Sequence, residues 1–102
     1  MREVVILSGV RTAIGDYMGS LSSFSAVELG IAAGKAAIER AGIKPDQIEE
    51  VAACHVYQGG NKGNTGRQVC LGVGCPVETV ALTINQQCPS SMRATEIICQ
   101  QI

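Results

Sequence analysis

The sequence contains no tryptophan, one phenylalanine and two tyrosines, so aromatic residues make up only 3% of it. That leaves no stacking platforms for nucleic-acid bases. Charge is also scarce. Charged residues are 17% of the chain, the formal net charge is -1, and neither a basic tail nor a Lys/Arg cluster occurs. The electrostatic footprint of a nucleic-acid binder is therefore missing, and no such partner is expected. No apolar run is long enough to span a bilayer, so no membrane partner is expected either. Met1-Arg2-Glu3 leads directly into the short run Val4-Val5-Ile6-Leu7, which does not suit the apolar region of a secretory signal. A cytoplasmic location is the expectation. There is one histidine, His55, and no Cys-x-x-Cys pair, and the cysteine spacings do not match a zinc-ligand pattern. No metal site is expected. A Walker-type phosphate loop is absent too, because Gly34-Lys35 is followed by Ala36.

What is present is apolar. Hydrophobic residues are 46% of 102, enough for one small domain with a real core. Five cysteines, Cys54, Cys70, Cys75, Cys88 and Cys99, form an odd set. A cytosolic chain would keep them reduced.

Hydrophobic patterning predicts an order of elements. Val4 to Ser8 is an almost continuous apolar run, which suits a strand buried on both faces. Gly9 to Ser23 reads as a loop. Ser25-Ala26-Val27-Glu28 has the spacing of a capping box and starts a helix that runs to about Ala41, where Gly42 supplies a left-handed stop. Gly30 and Gly34 lie four apart on one face of that helix and predict close packing against a sheet or another helix. Lys44 to Ile48 is a turn into a short helical piece, and Val51 to Tyr57 is a second strand carrying His55, read as a structural histidine. Gln58 to Gly66 is a glycine-rich loop whose spacing matches no phosphate cradle. A short helix over Arg67 to Gly74, a strand over Val80 to Ile84 and a last helix from Pro89 toward Ile102 complete the series. Strands alternating with helices predict an α/β layer with a mainly parallel sheet. Ile97, Ile98, Cys99 and Ile102 form an apolar face in need of a partner, as at the beginning of a larger fold.

One stretch carries chemistry: Ile84-Asn85-Gln86-Gln87-Cys88-Pro89-Ser90-Ser91-Met92. A buried strand stops, a polar turn follows, and Cys88 falls at the start of a helix. Unpaired N–H groups and the helix dipole favour negative charge there, and so favour a thiolate. Pro89 suits the first helical position. Ser90, Ser91 and Ala94 are small and leave room for a substrate. A thiolate so placed can attack a carbonyl carbon and hold an acyl group, with turn N–H groups supporting the oxyanion. On local features alone Cys88 reads equally well as a nucleophile or as a buried thiol closing a strand. Cys54, Cys70, Cys75 and Cys99 lack that setting and read as structural.

Several motifs in register resemble the N-terminal part of the thiolases, the acetyl-CoA C-acyltransferase family, through nearly all of the chain. Val4-Val5-Ile6 followed by Gly9-Val10-Arg11-Thr12-Ala13-Ile14-Gly15 is similar to the family's opening strand and Arg-Thr-Pro loop. Ser25 to Gly30 resembles the start of its first helix, and Ala41 to Ile48 its next turn. Gly66-Arg67-Gln68 resembles the Ala-Arg-Gln after its glycine-rich loop. Thr83 to Cys88 resembles the strand and turn that deliver its nucleophile.

The resemblance implies an incomplete share, in this chain, of a five-layer α/β/α/β/α fold, with residues 1–102 forming the first part of the N-terminal domain. It implies thiolytic cleavage or Claisen condensation of a β-ketoacyl-CoA through an acyl group on Cys88, whose own N–H would serve an oxyanion hole. The substrates would be acyl-CoA or β-ketoacyl-CoA and CoA, with no covalently bound cofactor. The rest of the thiolase chain, or a partner subunit, would supply the base histidine and a second cysteine. A dimer or tetramer is implied, with the strand from Ala81 to Ile84 near the interface. Neither His55 nor Cys70-Leu71-Gly72 stands in the family's Gly-His-Pro or distal Cys-x-Gly context. Pro89 departs from the small residue that usually follows the nucleophile, and it removes a backbone donor. The alternative is a non-catalytic interaction module with no activity alone. A ketoacyl-synthase-like relative fits the Arg-Thr-Ala-Ile-Gly loop and the Thr-Ile-Asn turn less well.

Overall fold

A computed structural model of the chain describes residues 2–102. The first regular element is helix α1, Ala26–Ala41. Its capping box is closed: the Ser25 N–H donates to Glu28 Oε2 at 2.7 Å, and the Glu28 N–H donates to Ser25 Oγ at 3.1 Å. Two N–H groups that lack helical partners are satisfied in this way. Gly42 ends the helix at φ 70, and its N–H donates to Glu39 O at 3.0 Å. A short 3-10 turn, Pro45–Gln47, then leads to strand β1, Glu50–Cys54. Helix α2 spans Thr65–Gly72, strand β2 spans Val80–Ile84 and helix α3 spans Ser90–Gln101.

β1 and β2 pair in parallel, with Val51 opposite Ala81 and Cys54 opposite Ile84. Parallel neighbours need a crossover, and α2 provides it. Alternate strand residues face opposite layers. Val51 and Ala81 pack with Ile31, Ile38 and Val69 around the buried Cys70, Val73 and Cys75. Ala52 faces Ala94 and Ile98 of α3 across the other side. The layers therefore run α3, sheet, α2, α1.

Gly30 and Gly34 do what their spacing predicts. A Cβ at Gly30 would come within 2.7 Å of Val69 Cγ2, and one at Gly34 within 2.8 Å of Val73 Cγ1. The glycines let α1 lie directly on α2.

The opening strand expected at Val4 to Ser8 is not formed. A strand exists only through its ladder, and the chain offers this segment side-chain tethers instead. Ser8 Oγ donates to Ala37 O at 2.8 Å, and Arg40 Nη1 donates to Gly9 O at 2.8 Å. Its side chains are not buried on both faces either: Ile6 is 88% exposed. Val5 and Ile6 border an open apolar groove whose other wall is Ala94, Ile98 and Ile102.

Candidate active site

The carboxyl ends of parallel strands are where open α/β sheets bind ligands. Here β1 ends beside His55 and β2 ends four residues before Cys88, so the histidine and that thiol follow the same edge of the sheet. The His55 N–H extends the ladder by donating to Ile84 O at 3.1 Å. Asn85 Nδ2 donates to Val56 O at 3.3 Å and ties the two turns together.

The turn from Asn85 to Ser90 is built from its own polar groups. Asn85 Oδ1 accepts from the Gln87 N–H at 3.2 Å. Gln87 takes a left-handed conformation, φ 57, that costs a residue with a side chain about 1–2 kcal/mol. Ser90 is only 3% exposed. Its Oγ accepts from the Gln86 N–H at 2.9 Å and donates to Gln87 O at 2.6 Å. The Ser90 N–H donates to Gln87 O as well, at 3.2 Å. Pro89 has no N–H. Among the described residues, the Cys88 N–H is the one backbone donor from Gln86 to Ser90 without an acceptor.

Cys88 itself is exposed. Of the two readings left open by local features, burial at a strand end is thereby excluded. The polar turn lifts the thiol clear of the layer that covers Ile84, which is 8% exposed. Pro89 sits at the N-cap, one position before the first helical residue expected for it. Ser90 was expected to leave space for a substrate; it fills the turn instead, and only Ser91 is exposed. Its signal in the sequence is a hydroxyl placed four residues after Gln86 across a helix start, a spacing with other readings.

The other thiols divide. Cys70 and Cys75 are buried as expected, whereas Cys54 and Cys99 are exposed. Cys54 is the last residue of β1, past the cover of α3, and Cys99 faces the open groove beside Val5. Burial pushes the Cys75 thiol up from its ordinary value of 9.0, and the neighbouring Cys70, by charge repulsion and a hydrogen bond, adds to the rise.

His55 lies one residue beyond β1 rather than within a strand reaching Tyr57. Its Nδ1 is 2.8 Å from Thr65 Oγ1 and 3.0 Å from Asn61 Nδ2. These contacts fasten the glycine-rich loop, as a structural histidine would. α2 begins at Thr65, earlier than expected, because Asn64 caps it and accepts from the Arg67 N–H at 3.1 Å. Asn64 Nδ2 also donates to Ala81 O at 3.1 Å, and Thr83 Oγ1 donates to Asn64 Oδ1 at 2.6 Å. The Gly66 N–H donates to Thr83 Oγ1 at 2.9 Å. The start of α2 is thus locked to the strand that carries the thiol. No group of three or more His, Cys, Asp or Glu side chains among the described residues is arranged to hold a metal ion.

Fold and turn together define an α/β unit that presents a thiol at the carboxyl edge of a parallel sheet. The profile described as "Thiolase, N-terminal domain" matches residues 4–102, and the chain belongs to the thiolase family. It is 51% identical over 94 residues to an acetyl-CoA acetyltransferase of Clostridioides difficile, covering 92% of this chain and 88% of that one. It is 43% identical over 102 residues to the mitochondrial acetyl-CoA acetyltransferase of Mus musculus, spanning 24% of that protein. Among solved structures, the acetyl-CoA acetyltransferase of Syntrophomonas wolfei superposes with a TM-score of 0.92 at 43% identity, over 96% of this chain and 25% of that one. The Acat5 thiolase of Ascaris suum, solved in complex with coenzyme A, superposes with a TM-score of 0.91 at 39% identity, over 93% and 25%. The chain therefore spans about a quarter of these longer relatives.

Proposed function

We propose that Cys88 accepts the acyl group in a thiolase reaction on CoA thioesters, with the remaining machinery supplied outside these 102 residues. One observation carries this reading. The thiol is exposed immediately after a left-handed residue and before α3, with its own N–H free. In the reaction a base takes the thiol proton, and the sulfur attacks the thioester carbonyl carbon of an acyl-CoA or the β-keto carbonyl carbon of a β-ketoacyl-CoA. The oxyanion forms within reach of the Cys88 N–H. With an acyl-CoA the old carbon–sulfur bond then breaks, and its electron pair leaves with the CoA sulfur. In thiolytic cleavage the bond between the α-carbon and the β-keto carbon breaks instead. Its pair leaves on the α-carbon of the departing acyl-CoA, which takes up a proton. The acyl-enzyme passes its acyl group to CoA or condenses with a second acyl-CoA. The coenzyme A complex of the Ascaris relative supports CoA thioesters as substrates.

The exposed surface supports an assembly as the active form. A compact chain of 10.6 kDa would expose about 5,500 Å², and this one exposes 7387 Å². Val5, Ile6 and Ile102 belong to that excess and call for a cover. We assign the cover to the remainder of a thiolase or a partner subunit, the whole forming a dimer or tetramer with β2 near the interface. The chain alone would be inactive. We assign it to the cytoplasm, where five thiols remain reduced. Relatives are named as both mitochondrial and cytosolic, so fractionation is the direct check. Among the described residues no helix is long and apolar enough to cross a membrane.

The decisive experiment incubates the intact assembly with acetyl-CoA and maps the acyl adduct by mass. Acylation of Cys88, lost in Cys88→Ala, is the expected result. An adduct elsewhere, or one that survives Cys88→Ala, refutes the assignment. A folded assembly that takes no acyl group would be an interaction module instead.

A further inference from the structure

We propose that Ser90 is a positioning residue for the acyl transfer, holding Gln87 left-handed so that Cys88 is presented to substrate. This rests on the reading of Cys88 as acyl acceptor. Gln87 has no glycine's freedom at φ 57, so the turn needs an outside constraint. Ser90 brackets it. The hydroxyl accepts from the Gln86 N–H at 2.9 Å and donates to Gln87 O at 2.6 Å. Its proton and a lone pair are both committed to the two peptide units that flank the Gln86–Gln87 peptide. At 3% exposure it cannot exchange them for water. Pro89 makes the link rigid, because its ring restricts φ, here -82, between the thiol and the serine. A shift of the hydroxyl is therefore passed to the Cys88 backbone rather than absorbed. Ser90 touches no substrate in this scheme and acts only through Gln87.

The test uses the intact assembly and acetyl-CoA, with the rate of Cys88 acylation followed by mass. Ser90→Ala should slow acylation about 10- to 100-fold, the range produced by a misplacement near 1 Å. Exchange of the Gln86 amide should quicken, because its acceptor is gone. Alkylation of the exposed Cys54 should stay at the wild-type rate. Adding Gln87→Gly should restore most of the rate, since glycine adopts positive φ freely. A purely structural serine would show no such rescue. Wild-type acylation in Ser90→Ala, or a loss that Gln87→Gly leaves unrepaired, overturns the proposal. If Ser90→Ala opens the core, the buried Cys70 and Cys75 become alkylated. The comparison then moves to Gln87→Gly with and without Ser90→Ala. Their rates should agree within about threefold, and a further drop of about tenfold overturns the proposal. Wild-type protein that never acylates Cys88 refutes the nucleophile assignment instead. Gln86 exchange still reports on the serine bracket in that case.

Discussion

Replacing Gly66 by alanine should damage this protein out of proportion to one methyl group. Gly66 lies in the first turn of α2, and a Cβ there would overlap the Leu82 carbonyl oxygen. Overpacking costs about 1–3 kcal/mol, and the upper end applies because the obstacle is strand backbone rather than a movable side chain. Alanine's better helix propensity offsets about 1 kcal/mol. Rotating α2 to relieve the overlap stretches the bond from the Gly66 N–H to Thr83 Oγ1, now 2.9 Å, with a loss of about 1 kcal/mol. The net destabilisation should be about 2–3 kcal/mol. Gly59→Ala is the control: nothing lies within 4 Å of its added Cβ. It should stay within about 0.5 kcal/mol of wild type. Urea unfolding of the intact protein measures both. Because the obstructing strand is β2, acylation of Cys88 should fall in Gly66→Ala as well. A Gly66→Ala midpoint at or above wild type would refute the close approach of α2 to β2.

Arg67 Nη1 and Nη2 donate to Thr79 O at 2.8 Å and Val77 O at 2.9 Å, clasping the turn that feeds β2. Arg67→Met should therefore cost about 2–3 kcal/mol in urea unfolding, and a change below about 0.5 would show the clasp to be idle. The raised Cys75 thiol predicts a pH effect. Folding favours the neutral form, so this contribution is complete below the ordinary value of 9.0 and is lost as pH rises through the higher folded value. Unfolding at pH 8 and at pH 10, compared with Cys75→Ala, should show a shallower alkaline loss in the variant. Equal slopes would refute it.

Features carried by neighbours in sequence were legible; those carried by distant partners were not. The Ser25 and Glu28 box, the Gly42 stop and the limits of β2 depend on residues a few positions apart, and all three stand in the structure. The helix face marked by Gly30 and Gly34 was readable as well, though its partner α2 was not. Val4 to Ser8 has the composition of a buried strand but no ladder here, because pairing is a tertiary property. The start of α2 was missed because Asn64 was read as loop rather than as a cap. At the site, a polar turn after an apolar strand pointed to Cys88. The left-handed Gln87 and the Ser90 bracket were hidden, because any polar residues can occupy such positions and only the folded turn selects among their partners.

The amide of Asn85 has a consequence for where this chain tolerates changes of length. It reaches Val56 O from the base of the Cys88 turn, while Gln58 Nε2 donates to His55 O at 2.8 Å. Residues 55 to 58 are thus pinned to the strand ends. Beyond them, Gly59, Gly60 and Gly63 have open space around them. An extra residue between Asn61 and Gly63, past the Asn61 contact with His55, would lengthen an open arc and leave the thiol where it is. The same residue inserted between Cys54 and Gln58 would carry the Val56 carbonyl away from Asn85 and release the turn. Asn61 marks the boundary between a stretch free to drift in length and one whose length is part of the site.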